Sequence, residues 1–482
     1  MIRYPMQPLA AGILLALSQV ALAGTEPFFT PLTASAVVTL PNSVEEFTAP
    51  WTAPAGITQK LLTSMTEVEA DATQSVVRVP GLGSNASMFD MIAYDPSGRY
   101  LFIPHETLVG AGASRYDTWN DRMETLFAGN LKGIEGDWSA DWGAFDPATF
   151  TPAGTLLVAE EWSGTGRVME VVNPLAPVDK IRVREVDTIA NTSHEGLRFS
   201  ADGKTLYFID EWNSGAVYKV VYKQANNYQA PGVTYVLVVD DYTGDPKLDY
   251  NVGTNIGSTR TGPATWVPMT NKAGRPLTQV SPFMNGPTDD PYTNPETRGG
   301  RAAADELGGT PYGRPEDMEV GRLANGNEVV YFAATSENAV YSIEETATGK
   351  PIVRLFAANS STPKNLGFAP TSAAMNSPDN LAQDAHGNIY IIEDAPNGSS
   401  TGGDIWFARD VNNDGVAESV DHFLSLRVGG SEATGMIFNP VDPYEFVVAV
   451  QHPASTNLEA VPAGLGDSVW SFDLKASGFP SP

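Results

Sequence analysis

The sequence predicts an all-β fold, a six-bladed β-propeller with a long insertion between the third and fourth blades. Strand-like hydrophobic alternation recurs in six hairpins along the chain. Most hairpins precede two further strand-like runs, and four strands per unit is typical of a propeller blade. Helical periodicity is weak, and 45 glycines and 36 prolines suit a chain rich in turns. A pair of β-sandwiches is the plainer alternative, but six similar units fit it poorly.

The first residues resemble a signal peptide. Arg3 precedes an apolar run over residues 9–23, which ends in the small-residue pattern Ala21-Leu22-Ala23. This run is shorter than the roughly 20 residues that a membrane span needs. We therefore expect residues 1–23 to be removed and the mature protein to be exported, to the periplasm or the extracellular space, without binding a membrane.

The rest of the chain divides into three predicted parts. Residues 24–80 are poorly periodic and are expected to pack on the propeller or to close it. The propeller itself spans residues 81–475, and residues 476–482 form a tail. An insertion at about residues 242–312 is rich in Gly, Pro, Thr and Asn. Loops of this length are usually functional or disordered, so this one could cover the channel mouth.

Each predicted hairpin has an alternating run, a turn and a second run. The first runs are residues 91–94, 142–145, 196–200, 318–320, 381–383 and 435–438, and the turns are DPSGR, DPATFTPAG, ADGK, GRLANGNE, DAHGN and NPVDPYE. In a propeller blade, the first strand starts at the same face to which the second strand returns. Residues just before the first run and just after the second run therefore meet at one mouth of the channel.

Acidic residues occupy these hairpin ends in every blade. A single acidic residue there is more simply explained as a solvated turn residue, but the whole set converges on one channel and needs cations to stay ionised. Oxygen ligands suit calcium first, although other divalent ions are possible. The acidic residues before the first runs are Asp90, Asp141, Glu195, Glu316, Asp317, Asp379 and Glu432, and those after the second runs are Glu106, Glu160, Glu161, Asp210, Glu211, Glu337, Glu393 and Asp394.

The charge and the composition restrict the partners. The net charge of −28 repels nucleic acid and anionic lipid, and it would repel an anionic substrate unless bound cations reversed the field locally. The chain has no cysteine, so disulfides and thiolate ligands are excluded. We expect a monomer that acts on a small molecule.

Three further features stand out. Arg314 adjoins the acidic mouth and could hold a phosphate or carboxylate in a bidentate manner, or could form a salt bridge with a neighbouring carboxylate. Three of the five histidines, His105, His194 and His452, fall at hairpin ends on the acidic face. The segment DVNNDGVAES predicts either a peripheral calcium loop or a plain hairpin turn. Its candidate ligands are Asp410, Asn412, Asp414 and Glu418.

At these motifs the sequence resembles the PhoX-type alkaline phosphatases, secreted six-bladed propellers with calcium and iron in the channel. The resemblance covers about residues 81–475. The motifs that carry it are PHET, TPAGTLLVAEEW, SHEG, GRPEDMEV, SPDN, GSEATGMIF and AVQHP.

The resemblance implies that Arg314 binds the phosphoryl group. It also implies a set of metal ligands, namely Glu106, Glu160, Glu161, Glu195, Glu316 and Asp379. Two departures from the family pattern favour calcium over iron. Ala159 stands where the family has a metal-bridging cysteine, and only Arg3 precedes the apolar run where the family usually has a twin-arginine signal.

The leading prediction is an exported phosphoester hydrolase with several calcium ions, in which iron is possible but disfavoured. Arg314, Glu195 and Glu316 are the predicted catalytic residues, and Asp210 and Glu211 join the predicted metal ligands. A calcium-dependent lactonase or esterase, of the gluconolactonase or paraoxonase type, is one alternative. A non-catalytic calcium-binding propeller is the other, and the missing cysteine favours it.

Overall fold

The computed structural model describes residues 27–40, 43–70, 89–162, 164–212, 215–283, 298–394, 400–453 and 464–481. The predicted signal peptide lies outside these ranges. Most regular elements of the described chain are β-strands, which confirms the all-β prediction. Among the described residues, the helices are all too short or too polar to cross a membrane.

The chain starts with short elements and then forms two sheets. The early elements are α1 (Val44–Thr48), β1 (Trp51–Thr52), β2 (Thr58–Ser64) and α2 (Met65–Ala70). The first sheet contains β3 (Ala93–Tyr94), β4 (Tyr100–Pro104), β5 (Gly112–Asp117) and β6 (Arg122–Ala128). The second contains β7 (Phe145–Phe150), β8 (Leu156–Glu160), β9 (Val168–Val171) and β10 (Val183–Glu185).

A nine-stranded sheet follows, and it consists of two four-stranded meanders joined by one extra strand. The first meander contains β11 (His194–Phe199), β12 (Thr205–Asp210), β13 (Val217–Tyr222) and β14 (Gly232–Val239). The joining elements are β15 (Gly262–Pro268), which pairs with the outer strand of each meander, and the helix α3 (Gly299–Glu306). The second meander contains β16 (Pro315–Arg322), β17 (Glu328–Ala334), β18 (Ala339–Glu345) and β19 (Ile352–Ala358).

Each of the last two sheets includes one strand from the start of the chain. One contains β20 (Pro378–Gln383), β21 (Ile389–Glu393), β22 (Asp404–Arg409) and β23 (Ser419–Leu426), with β1 paired to β23. The other contains β24 (Glu432–Phe438), β25 (Glu445–Gln451) and β26 (Ser468–Asp473), with β2 paired to β26. The outermost strand of the last sheet therefore comes from the start of the described chain, and this pairing ties the two ends of the chain together.

The first strands of successive meanders pack side by side in a ring. The strand β7 contacts β3 and β11, β16 contacts β11 and β20, and β24 contacts β20 and returns to β3. Each meander runs outward from its first strand, and apolar side chains fill the spaces between neighbouring sheets. This is a propeller-like arrangement, in which the starts of the inner strands surround one axis.

One predicted turn is part of a strand. Residues 146–150 of the sequence DPATF were expected to lie in a turn, but β7 extends to Phe150. The pairing of β7 with β8 skips from Phe145 to Ala148, so Pro147 falls in a bulge. A missing N–H costs no ladder hydrogen bond at such a position, which is why a proline is tolerated there.

Candidate metal centre

Four inner strands carry the same bulge close to their first residue. In β7, β11, β16 and β20, two residues of the inner strand oppose one residue of the next strand. A bulge redirects a side chain out of the regular strand alternation and is frequent next to active sites. The first residue of each bulge is acidic, and these residues are Asp146, Glu195, Glu316 and Asp379.

A second set of acidic residues follows the second strand of three meanders. The N–H groups of Glu161, Glu211 and Asp394 donate to the carbonyl oxygens of Ala144, Ser193 and Ser377, at 2.8, 3.0 and 3.0 Å. Each acceptor directly precedes an inner strand. One repeated backbone contact therefore places an acidic strand-end residue beside the start of the inner strand in three of the meanders, those that begin with β7, β11 and β20.

The four bulge residues, together with Glu161 and with Glu106 just after β4, form two groups of three carboxylates. One group contains Glu106, Asp146 and Glu161, and the other contains Glu195, Glu316 and Asp379. Within each group, one ligand oxygen from every residue lies within 4.8 Å of the others. We call these groups the first triad and the second triad.

Burial and mutual repulsion disfavour the ionised form of the triad residues. Burial is the largest cause of the raised pKa of Glu195, followed by the charges of Asp146 and Glu316. Burial also raises the pKa of Asp379, and the charge of Glu316 adds to this effect. The pKa of Glu106 is raised to about 7, again chiefly by burial. Divalent cations would remove this penalty, because they favour the charged form.

The oxygens of the triads suit a hard cation. The Asp146 Oδ1 atom is buried and has no hydrogen-bond partner among the described residues. Carboxylate oxygens without N–H or O–H donors are the ligands that calcium and other hard divalent cations prefer. Because the chain has no cysteine, no thiolate can join these oxygens. The donor set therefore fits calcium better than a softer metal.

Arg314 lies between the second triad and the neighbouring strand ends. Its Nε atom is 2.8 Å from Glu211 Oε1 and 3.0 Å from Glu316 Oε1, and its Nη1 atom is 3.6 Å from Asp394 Oδ2. The negative charge of Glu316 is the largest cause of the raised pKa of the Arg314 guanidinium, and the charges of Glu211 and Asp394 add to it. Arg314 therefore stays charged. Its side chain is 37% exposed. The salt-bridge alternative is thus present.

Gln451 and Thr434 donate hydrogen bonds to two acidic residues, Glu106 of the first triad and Asp90. Gln451 Nε2 donates to Glu106 Oε2 at 2.8 Å and to Asp90 Oδ2 at 3.1 Å. Thr434 donates a further hydrogen bond to Asp90. These contacts fix Glu106 in the first triad from the side of β24 and β25.

Three predicted metal ligands, Glu160, Asp210 and Glu211, lie outside the two triads, and each of them contacts an arginine. Glu160 is fully buried and accepts two hydrogen bonds from Arg167, at 2.7 and 2.8 Å. Asp210 is also fully buried, and its Oδ2 is 3.7 Å from Nε of Arg301. Successive strand residues point to opposite faces, so Glu160 and Asp210 face the sheet interfaces while the residues that follow them face the axis. A third predicted ligand, Glu211, contacts Arg314.

The predicted peripheral calcium loop uses its oxygens for its own backbone. Asp410 accepts from the N–H groups of Asp414 and Gly415, at 3.1 and 2.8 Å. Asn412 Oδ1 accepts from Asp414 N at 3.0 Å, and Glu418 Oε2 accepts from Val411 N at 2.8 Å. These contacts are those of a turn stabilised by its own side chains, which was the alternative interpretation.

The three histidines of the acidic face differ in their environments. His105 and His194 are fully buried, hydrogen-bond to Ser114 and Thr192, and have pKa values lowered to about 3 by burial. His452 is partly exposed, and its Nε2 lies 2.6 Å from Glu432 Oε1. Of the three imidazoles, only that of His452 is open to solvent.

Sequence reasoning missed Asp146, and a signal for it was present. The hairpin-end pattern predicts Asp141 at this place, but the Asp141 carboxylate accepts hydrogen bonds from Gly110 N and Gly133 N, at 2.9 and 2.7 Å. Aligning FDPA with HEGL, PEDM and PDNL places an acidic residue two positions before the residue at which pairing resumes. That shared spacing identifies Asp146.

The fold and the site define a class of protein, a propeller-like chain with carboxylates at its inner strand ends that can bind metal ions. The chain belongs to the PhoX alkaline phosphatase family, whose model matches residues 135–454. This confirms the resemblance seen in the motifs, and it makes the protein a phosphatase-type hydrolase.

Known structures are similar in fold. Pseudomonas fluorescens PhoX, solved in complex with vanadate, a transition state analogue, is 15% identical with a TM-score of 0.60, and the match covers 93% of this chain and 98% of that one. A gluconolactonase from Xanthomonas campestris is 10% identical with a TM-score of 0.42, and the match covers 93% of this chain and 98% of that one. Among curated proteins, none matches the chain.

Proposed function

We propose that the protein is an exported phosphoester hydrolase whose two triads hold calcium ions in the channel of a six-bladed propeller. The observation that carries this proposal is the juxtaposition of two oxygen-only carboxylate triads with one partly exposed arginine. Each inner strand of the ring would begin one blade, and β2 would complete the last blade. Removal of residues 1–23 would accompany export.

The ligands in this proposal are Glu106, Asp146 and Glu161 in one triad and Glu195, Glu316 and Asp379 in the other. When bound, calcium would supply positive charge for the phosphate oxygens and for the leaving oxygen, and would make a bound water more acidic. The bound cations would also reverse the local field of a protein that otherwise repels anions. Iron is disfavoured because no thiolate is available.

Arg314 would bind the phosphoryl group through the Nη edge of its guanidinium. Its Nε side is held by Glu211 and Glu316, so the planar group has a defined orientation before substrate arrives. Such a preset orientation lowers the entropy cost of holding a tetrahedral anion. A lactone carries no anionic group that would need this arginine, so Arg314 favours a phosphoester over the lactonase alternative.

We expect Arg314→Lys to lower phosphoester kcat/KM by about 10–100-fold, because an ammonium group cannot replace a bidentate fork worth roughly 1.5–3 kcal/mol. Steady-state hydrolysis of p-nitrophenyl phosphate measures this change. Arg184→Lys is the matched control, because Arg184 pairs with Glu170 on the outer strand β10. Unchanged turnover in the Arg314 variant would remove the arginine from the proposed mechanism.

A further inference from the structure

The insertion between β14 and β16 contains a buried arginine, Arg260, whose ion-pair partner binds the backbone next to Arg314. The Arg260 side chain is 4% exposed, and its guanidinium forms a bidentate ion pair with Glu337, which is 5% exposed. Tyr341 donates its hydroxyl to Glu337 Oε2 at 2.6 Å, and the Arg260 guanidinium lies 5.2 Å from the centroid of the Tyr312 ring. A buried bidentate pair of this kind has one fixed geometry.

Glu337 also holds the backbone directly before Arg314. The N–H of Gly313 donates to Glu337 Oε1 at 2.7 Å. Two backbone bonds add to this contact, from Ser336 N to Gly313 O at 3.2 Å and from Thr335 N to Arg314 O at 2.9 Å. The residues 335–337 therefore bind both ends of the Gly313–Arg314 unit, and Glu337 is the side chain that links this unit to Arg260.

Arg314 needs such support because its backbone is strained. Its φ angle is 45°, in the left-handed region that a side chain with a Cβ atom rarely adopts. Strained residues of this kind persist only where surrounding contacts determine them, and they cluster at functional sites. The insertion adds one more contact, since the Tyr312 hydroxyl donates to the backbone oxygen of Arg260 at 2.9 Å.

We propose that Arg260 and Glu337 are positioning residues for the phosphoryl group. Their ion pair holds Gly313 and Arg314 in the left-handed turn, and this turn aims the Arg314 guanidinium at the second triad and at the substrate. The inference rests on the proposed function, in which Arg314 binds the phosphoryl group. In this proposal the insertion affects substrate binding indirectly, because Arg260 orients Arg314 and does not itself contact the substrate.

The packing around Gly313 offers an independent way to disturb the turn. A Cβ atom at this position would lie 2.8 Å from Tyr250 O and 3.0 Å from Glu337 Cγ. Gly313→Ala keeps every charge of the site and both members of the ion pair. It should nevertheless push the backbone before Arg314 away from Glu337, because the contact with Tyr250 involves backbone.

The test uses the full chain and orthophosphate as a competitive inhibitor of p-nitrophenyl phosphate hydrolysis. We expect Arg260→Lys and Gly313→Ala each to raise the Ki for orthophosphate on the order of 10–100-fold, since small misplacements of a binding group have effects of this size. Arg409→Lys is the control, because it removes another buried arginine–carboxylate contact, to Asp421 at 3.1 Å, at the end of β22 away from the triads. It should lower the melting temperature and leave the Ki unchanged.

Two results would overturn the proposal. The first is an Arg260→Lys protein that loses thermal stability as the Arg409→Lys protein does but keeps the wild-type Ki. The second is a Gly313→Ala protein with wild-type Ki. An Arg314→Ala protein tests the proposed function separately. If its Ki for orthophosphate equals that of wild type, the phosphoryl role of Arg314 itself fails, whatever the other variants do.

Discussion

Glu316→Gln is expected to lower phosphoester turnover at least about 10³-fold. Glu316 belongs to the second triad, is 1% exposed, and also contacts Nε of Arg314. The substitution removes one carboxylate of the proposed metal site and its ion pair with the arginine. Loss of metal-supplied stabilisation worth several kcal/mol corresponds to a rate loss of this order. Single-turnover hydrolysis of p-nitrophenyl phosphate, together with metal content, measures the effect.

The matched control for this variant is Glu319→Gln. Glu319 lies on the same strand, carries the same charge, and pairs with Arg198 at 3.2 Å outside the triads. We expect it to retain most of the activity and all of the bound metal. Equal losses in the two variants would mean that net charge near β16, rather than ligation by the second triad, controls turnover.

Excess chelator is expected to lower the melting temperature on the order of 10 °C. Ions that bind only the folded protein each contribute a few kcal/mol at saturation, and their loss leaves the two triads uncompensated. Differential scanning calorimetry with and without a calcium chelator measures the shift. A melting temperature that is independent of chelator would show that the triads bind no ion that stabilises the fold.

The pH dependence of the chelated protein follows from the raised pKa values. A carboxyl group whose pKa is higher in the folded state than in the unfolded state stabilises the fold only while it is protonated. For Glu106 the pKa rises from 4.5 to about 7, so stability is lost as the pH rises through this interval. The chelator should therefore cost more stability at pH 8 than at pH 5, and the metal-loaded protein should show a smaller pH effect.

The strand pattern was enough to predict most of the fold. Period-two alternation and short turns are local properties, so five of the six hairpins could be recognised from the sequence without tertiary information. The first strand of the second hairpin was predicted to end at Phe145, although β7 continues to Phe150, because proline is common in turns and Pro147 lies in this stretch. Its place in a bulge depends on the pairing with β8, which the local sequence does not reveal.

The site was predictable as a region but not residue by residue. Acidic residues at strand ends identify the end of the hairpins at which the two triads lie, yet neighbouring residues such as Glu160 and Glu161 point in opposite directions. Which of the two faces the axis depends on the position of the bulge and on buried partners such as Arg167, 2.7 Å from Glu160. Arg260, the partner of Glu337, lies just before β15, and the pairing of these two residues depends on tertiary packing that the local sequence does not reveal.

Ala159 stands where the family pattern has a metal-bridging cysteine. It is fully buried in the apolar cluster that contains Leu157 and Leu197, so its methyl group packs between two sheets. The absence of a thiolate ligand does not depend on this position, because the entire chain lacks cysteine. The composition therefore excludes thiolate ligands, and the candidate ligand atoms of the two triads are all carboxylate oxygens.

Reconstitution of the metal-free protein with calcium alone tests the central claim most directly. The measurement is the rate of p-nitrophenyl phosphate hydrolysis as calcium is added to protein stripped of all metals, with bound metal determined in the same samples. We predict that calcium alone restores hydrolysis and that the active protein contains no stoichiometric iron, because the two triads supply only hard oxygen ligands. A protein that binds calcium but stays inactive until iron is added would contradict this account.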